Sequence, residues 1–390
     1  MPFLSRENIK KIFFFNNKCY NKLLLTFHLH YYKGACIVRQ ISLAEVIPGM
    51  ILARSILSNK GRVLLVAGIT LTEEYIRKLR ILNLEILFIK DAKYADINIP
   101  EYLSLDTQQR ALSILTATMT KVNKDGTFSV GAVSGLASDI VEELVAQADI
   151  IIHLTGIAIH DDCTLSHSLN CSIYSALLAR SCGFTIPQIK VITCGALLHD
   201  MGKTEIDKHL LNKPDRLTDE EFDIIKQHPT LGFNLLTKKR LELSSLVAHM
   251  AWQHHEKIDG SGYPRGLQGD QILSYARVLA ITDVYEAITA HRPYRKAMKP
   301  EIAYNVILSG LGTYFDENYG RIFLSKIALY TPGTEVLLST RERAIVVSVP
   351  GNDPQRPVVR LISYPDGTPY TPPKDISLVE NPQISITTTY

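Results

Sequence analysis

"LLHDMGK", residues 197–203, ends an apolar helical run in an adjacent histidine and aspartate, His199 and Asp200, with a glycine and Lys203 close behind. Alone, the dipeptide is an ordinary polar helix end. Its meaning rests on whether other ligand-type residues stand where a fold would gather them. The surrounding helical stretch holds His167 in "TLSHSLN", His228 in "KQHPTLG", His254 and His255 in "WQHHEKIDGSGYP", and Asp283 in "AITDVYEA". A lone histidine on an apolar helix is usually a satisfied core residue, and His30 and His249 are read that way. An apolar bundle has little reason to bury four or five imidazoles and two carboxylates together unless a cation offsets their polarity.

The chain around this stretch is that of a globular protein. At 390 residues it is too long for one compact core, so two or three domains are expected. A hydrophobic fraction of 46% with 21% charged residues excludes disorder, and a net charge of +3 gives no sign of a nucleic-acid groove. The six cysteines form no CxxC pair and read as buried thiols of a reducing, cytoplasmic setting. Residues 12–38 are apolar but broken by Asn16, Asn17, Lys18, Asn21, Lys22 and Lys33, which suits neither a membrane span nor a signal peptide. The first 37 residues read as a non-native or disordered leader, and an alternative start at Val38 would explain their odd texture.

Patterning divides the remainder into a multidomain, mainly α chain. Residues 38–100 carry a small α/β unit: "GRVLLVAG" as a strand, "TLTEEYIRKLRILNL" as an amphipathic helix capped by Thr72, and "EILFIK" as a second strand. Residues 101–156 read as a helical connector with a loop at "KVNKDGTFSVGAVSG". From 157 to 330 helices dominate, expected over 164–181, 187–199, 218–227, 230–236, 244–256 and 272–290, with a Thr218–Glu221 capping box. Residues 331–390 alternate as a small antiparallel β unit with a turn at Pro365-Asp366-Gly367.

The ligand types narrow the chemistry. Imidazole with carboxylate, and no thiolate pair, points to octahedral iron or manganese before structural zinc. Seven ligands suit two divalent ions with room left for water and substrate, and Asp200, with two oxygens, is the candidate bridge. His254 and His255 would point about 100° apart on a continuous helix, which makes His255 the least secure ligand. "DGSGYP", 259–264, reads as a turn ending a helix or as a rigid loop at the mouth of the site. Arg292 and Arg295 in "HRPYRKAM" are either solvated charges at a helix C-terminus or phosphate contacts.

Taken in order and spacing, "HSLN", "HDMGK", "HPTLG", "HHEKIDGSGYPRG", "ITDVYEA" and "RPYR" resemble the HD-GYP domain, a branch of the HD metal-dependent phosphohydrolases that hydrolyses cyclic di-GMP. The resemblance covers about residues 157 to 330. It implies an all-α HD-type bundle in which His167, His199, Asp200 and Asp283 hold one metal and Asp200, His228 and His254 the other. It further implies Lys203 at the scissile phosphate or bridging hydroxide, Gly262, Tyr263 and Pro264 as the signature loop, and Arg292 and Arg295 on the ligand's phosphates. Some members carry a glutamate four residues before the first histidine and bind a third metal; Cys163 stands there, beside Asp161 and Asp162, so two metals are expected. The implied reaction is hydrolysis of cyclic di-GMP to pGpG, with pGpG or GMP left open as the end product. Rival readings are an HD enzyme acting on another nucleotide, or an inactive dinucleotide receptor. The flanks resemble units found beside such domains in Gram-positive bacteria and read as interaction modules or structural caps, with a homodimer left open.

Overall fold

The computed structural model describes residues 38–389 apart from 59, 83, 85, 91–96, 98–100, 148–150, 154–158, 161–162, 214, 240 and 291–297. The expected leader, Asp161, Asp162, Arg292 and Arg295 lie outside the described residues, as does the side chain of Cys163. Contacts divide the chain into two compact units. The first runs to Ile99 without Ser58–Arg62, which group with Pro100–Tyr390 in the second.

In the first unit, strands β1 (Val38–Ser42), β2 (Ile51–Leu52) and β5 (Ile86–Lys90) form an antiparallel sheet in the order β1-β5-β2. The strands β3 (Ile56–Ser58) and β4 (Val63–Leu65) pair as a hairpin. The helix α1 (Glu73–Ile81) starts where Thr72 accepts a hydrogen bond from the Tyr75 amide at 3.2 Å, a cap that supplies a partner to a free helix-end N–H. Its apolar face joins Ile41, Leu52, Leu71, Leu87 and Ile89 in one core.

The second unit begins with two helices, α2 (Leu105–Asp125) and α3 (Val130–Val145). The loop between them is shorter than the pattern predicts. Only residues 126–129 leave the helices: Gly126, at φ 68°, ends α2, and Ser129 caps α3. Gly131 and Gly135, inside the expected loop, lie on the exposed face of α3, while Val130, Val133, Leu136 and Ile140 bury the other. Burial of that face outweighs the glycine penalty of about 1 kcal/mol each.

Then come α4 (Cys163–Ser181), α5 (Ile186–Leu198), a 3-10 turn (Met201–Glu205), α6 (Lys208–Leu211), α7 (Asp219–Ile225), α8 (His228–Thr237), α9 (Ser245–Gln253), α10 (Ser274–Thr289), α11 (Pro300–Ser309) and α12 (Glu317–Lys326). The Thr218–Glu221 capping box forms as expected. Helix α4 is buried on every side from His167 to Ala179, which is why it shows no apolar stripe: it is a central helix, packed against α5 and α10. Five antiparallel strands close the chain, β6 (Glu335–Leu338), β7 (Arg343–Ser348), β8 (Val358–Ser363), β9 (Pro369–Ser377) and β10 (Ile386–Thr389), in the order β9-β8-β7-β6-β10. Their inward residues Val336, Leu338, Val346, Val359 and Leu361 form a separate core. The fold class is thus mainly α, with a small α/β unit before the helical bundle and an antiparallel sheet after it. No helix among the described residues is long and apolar enough to cross a membrane.

Candidate metal centre

Five elements bring their ends or middles to one point. His167 lies on α4, His199 caps the C-terminus of α5 with Asp200 next to it, and His228 opens α8 ahead of Pro229. His254 caps the C-terminus of α9, and Asp283 sits within α10. Close backbone packing sets this arrangement. A Cβ on Gly202 would lie 2.0 Å from the His228 carbonyl oxygen and 2.5 Å from the Gly232 amide nitrogen, so the turn after Asp200 can rest on α8 only because that residue is glycine.

Hydrogen bonds fix the rings. The Nδ1 of His199, His228 and His254 each bonds the backbone carbonyl three residues earlier, on Ala196, Ile225 and Ala251, at 2.7, 2.7 and 2.8 Å. A proton on Nδ1 leaves the Nε2 lone pair free and aimed at the centre. There His167 Nε2 lies 3.2 Å from His199 Nε2, 3.1 Å from Asp283 Oδ1 and 3.6 Å from Asp200 Oδ2. On the other side of Asp200, His228 Nε2 lies 3.2 Å from His254 Nε2 and 3.4 Å from Asp200 Oδ1. These separations are close to the edge of about 3 Å expected for ligands around an ion with bonds of about 2.1 Å.

Two observations test whether cations suit the cluster. Asp200 Oδ1 is buried and has no hydrogen-bond partner, a costly state for a carboxylate oxygen. His228 and His254, both neutral, turn lone pair to lone pair at a distance that only a shared positive charge makes favourable. Both features fit bound cations. The His/Asp cluster could hold divalent metal ions.

Electrostatics agree with the geometry. Burial lowers His228 to about 4 and His255 to about 3, and it holds His199 and His254 below their ordinary value, so these rings stay neutral and able to ligate. Burial alone would raise the Asp200 carboxyl, but the Lys203 ammonium beside it holds it well below the usual carboxylate range. Asp283 is held low against the same burial, chiefly by His167. His167 is raised well above its ordinary value, because Cys171, Glu286 and Asp283 outweigh the opposing burial. The carboxylates carry that charge, since burial pushes the Cys171 thiol itself up to about 12.

Known proteins are similar to this chain in sequence. Residues 156–319 match the model of an HD domain, and residues 335–389 that of a KOW domain associated with HD domain. A cyclic di-GMP phosphodiesterase of Pseudomonas aeruginosa is 31% identical over 270 residues, 67% of this chain and 65% of that protein. A cyclic di-GMP phosphodiesterase response regulator of Xanthomonas campestris pv. campestris is 37% identical over 142 residues, 36% of this chain and 38% of that one. Residues 156–319 form an HD domain, and these relatives support its HD-GYP branch. A 3'3'-cGAMP-specific phosphodiesterase of Vibrio cholerae is also similar, 35% identical over 153 residues, 39% of this chain and 33% of that protein. In each case the match spans less than two thirds of the relative's own length.

The Gly262-Tyr263-Pro264 loop stands beside the imidazoles. Tyr263 stacks on His255 with ring centroids 4.7 Å apart, and its amide donates to the His255 carbonyl at 3.2 Å. Gly262 passes so close to the chain before it that a Cβ would lie 2.4 Å from the Lys257 nitrogen. The peptide bond between Tyr263 and Pro264 is cis. Buried Glu256 accepts from the amides of Arg265 and Leu267, both at 2.9 Å, and so ties the loop to the end of α9. Lys203 Nζ donates to Asp200 Oδ2 at 2.6 Å, which puts its ammonium at the edge of the cluster.

The reason given for doubting His255 does not hold. His254 keeps a helical backbone, φ −66° and ψ −16°, yet donor atoms of His228, His254 and His255 lie within 4.8 Å of one another. Sequence reasoning also missed Glu286. This buried carboxylate on α10 accepts the Nδ1 proton of His167 and a hydrogen bond from Asn170 Nδ2 at 3.2 Å. The available signal was its place three residues after Asp283, on the same helix face.

Proposed function

We propose that this chain is a metal-dependent phosphodiesterase that hydrolyses cyclic di-GMP to pGpG and onward to GMP, using two divalent ions, iron or manganese. In this reading His167, His199, Asp283 and Asp200 hold one ion, while Asp200, His228 and His254, with His255 beside them, hold the other. The observation that carries it is the buried, partnerless Oδ1 of Asp200 facing the imidazoles of His228 and His254, with its Oδ2 facing those of His167 and His199. When bound, such a pair of ions makes water acidic enough to attack near neutral pH and offsets charge on phosphoryl oxygens.

The protein's own groups do the rest. Asp200 stays ionised throughout the physiological range, and the histidine Nδ1 bonds keep the imidazoles in register without cost at the moment of reaction. Lys203, 26% exposed, presents an ammonium from the cluster's rim toward the scissile phosphate, where negative charge develops. Gly262, Tyr263 and Pro264 wall one side of the substrate site, and Arg292 and Arg295 are assigned to its outer phosphates.

The test is to incubate anaerobically purified protein with iron or manganese and cyclic di-GMP, then separate pGpG from GMP. Turnover dependent on added metal is expected, and Asp200→Ala should lose metal and turnover together, by well over the 100-fold typical of a mere supporting residue. A variant that kept both would contradict the bridging role. Similarity to 3'3'-cGAMP-specific enzymes supports a second reading in which the mixed dinucleotide is the substrate. Metals read phosphate and not base, so the assay is run with both dinucleotides, and the higher kcat/KM decides.

A further inference from the structure

Three of the four central imidazoles are backed by neutral carbonyls and one is not. The Nδ1 protons of His199, His228 and His254 point at backbone oxygens, whereas that of His167 points at the carboxylate of Glu286. A carboxylate behind a ligating histidine makes the ring a stronger donor and adds negative charge one ring away from the ion. The charge lining the two positions differs in the same sense. Around His167 and His199 stand Asp283 Oδ1 and Asp200 Oδ2, with Glu286 behind. Around His228 and His254 stand Asp200 Oδ1 and neutral His255. The other carboxylate oxygen there, Asp283 Oδ2, is 3.9 Å from His255 Nδ1, and no carboxylate stands behind the Nδ1–carbonyl bonds of His228 and His254. The Lys203 ammonium, bonded to Asp200 Oδ2 at 2.6 Å, opposes cations at the shared carboxylate and so does not itself favour the second position.

Resting on the two-ion reading above, we propose that the positions are unequal: the one at His167, His199 and Asp283 fills first and holds its ion tightly through Glu286, and the one at His228 and His254 exchanges. Glu286 is then a positioning residue. It touches neither ion nor substrate and acts through the ring of His167. The second position becomes the one through which metal supply sets how much of the protein is competent.

Metal retention tests this without an activity assay. Protein loaded with Mn(II) is dialysed against graded chelator and its ions per chain are measured by mass spectrometry. The wild type should lose one ion well before the other. His254→Ala should lack the early-leaving ion alone. Glu286→Gln keeps an acceptor for the His167 proton but not the charge, and should weaken the late-leaving ion 10- to 100-fold while moving the other by less than about threefold. Far-UV circular dichroism of the ion-free variants checks that they fold, and Glu286→Asp, which restores the charge, should recover most of the affinity. Two wild-type ions leaving together, or a Glu286→Gln protein indistinguishable from wild type, would overturn the proposal. A wild-type chain that never holds more than one ion would instead bring down the two-ion reading beneath it.

Discussion

The first unit and the helical bundle both bury a core, but of opposite character. In the first, the buried cluster is wholly aliphatic, built from residues such as Ile41, Leu52, Ile76, Leu79 and Ile89. In the bundle, His167, His199, Asp200, His228, His254, Asp283 and Glu286 are all at most 7% exposed. A fold needs the first kind of core and is destabilised by the second, because each buried polar group must recover its lost hydration. The contrast separates what holds this chain together from what it does. Most of the bundle's polar cost is offset by hydrogen bonds, and the part left over, at Asp200 Oδ1 and the facing Nε2 atoms, marks where ions fit.

That contrast can be tested by perturbing one side at a time. Gly202→Ala should act most strongly, since the added carbon meets the backbone of α8 at both His228 and Gly232 and must push Asp200 away from His228. Ion affinity should fall more than about 100-fold, with folding weakened by about 1–3 kcal/mol as in other overpacked sites. Titration calorimetry and thermal melts read the two effects. In the aliphatic core Leu79→Ala, at a fully buried position, should cost about 2–5 kcal/mol of that unit's stability and leave ion content unchanged.

Acid separates the two cores again. In ion-free protein the unfolded chain takes up protons below its ordinary histidine value of about 6.5, whereas folded His228 does so only at about 4 and His255 at about 3. The unfolded state therefore binds more protons between those values, and stability falls as pH drops through that window, by up to about 3 kcal/mol from His228 alone. His167 has the opposite sign. Its contribution is complete below the unfolded value and is lost as pH rises through its raised folded value. Four depressed imidazoles outnumber one raised, so the chelated protein should melt lower at about pH 5 than at about pH 7, and a flat profile would contradict the burial described. Thr72→Ala should matter least, removing one cap hydrogen bond for about 1 kcal/mol in a denaturant titration of the first unit.

Much of the architecture was legible beforehand because it follows from local chemistry. Thr72, Thr218 and the apolar periodicity mark helix starts, and alternation marks the closing sheet. The ligands were legible as a group because their number has no structural excuse in an apolar bundle. What the pattern hid depends on three-dimensional neighbours. His255 reaches the cluster because α8 brings His228 against it, with ring centroids 5.0 Å apart, and nothing in the dipeptide encodes that neighbour. Glu286 looks like any helical carboxylate until α4 brings His167 against it. The glycines of α3 read as a loop because their exposed face is known only once the opposite face is buried.

A crystal of the Mn(II)-loaded protein, with anomalous scattering recorded at the manganese edge, addresses the claim on which all this depends. Two peaks flanking the Asp200 carboxylate are expected, one among His167, His199 and Asp283 and one between His228 and His254. No peak at that carboxylate, or ions bound only elsewhere on the surface, would contradict the account.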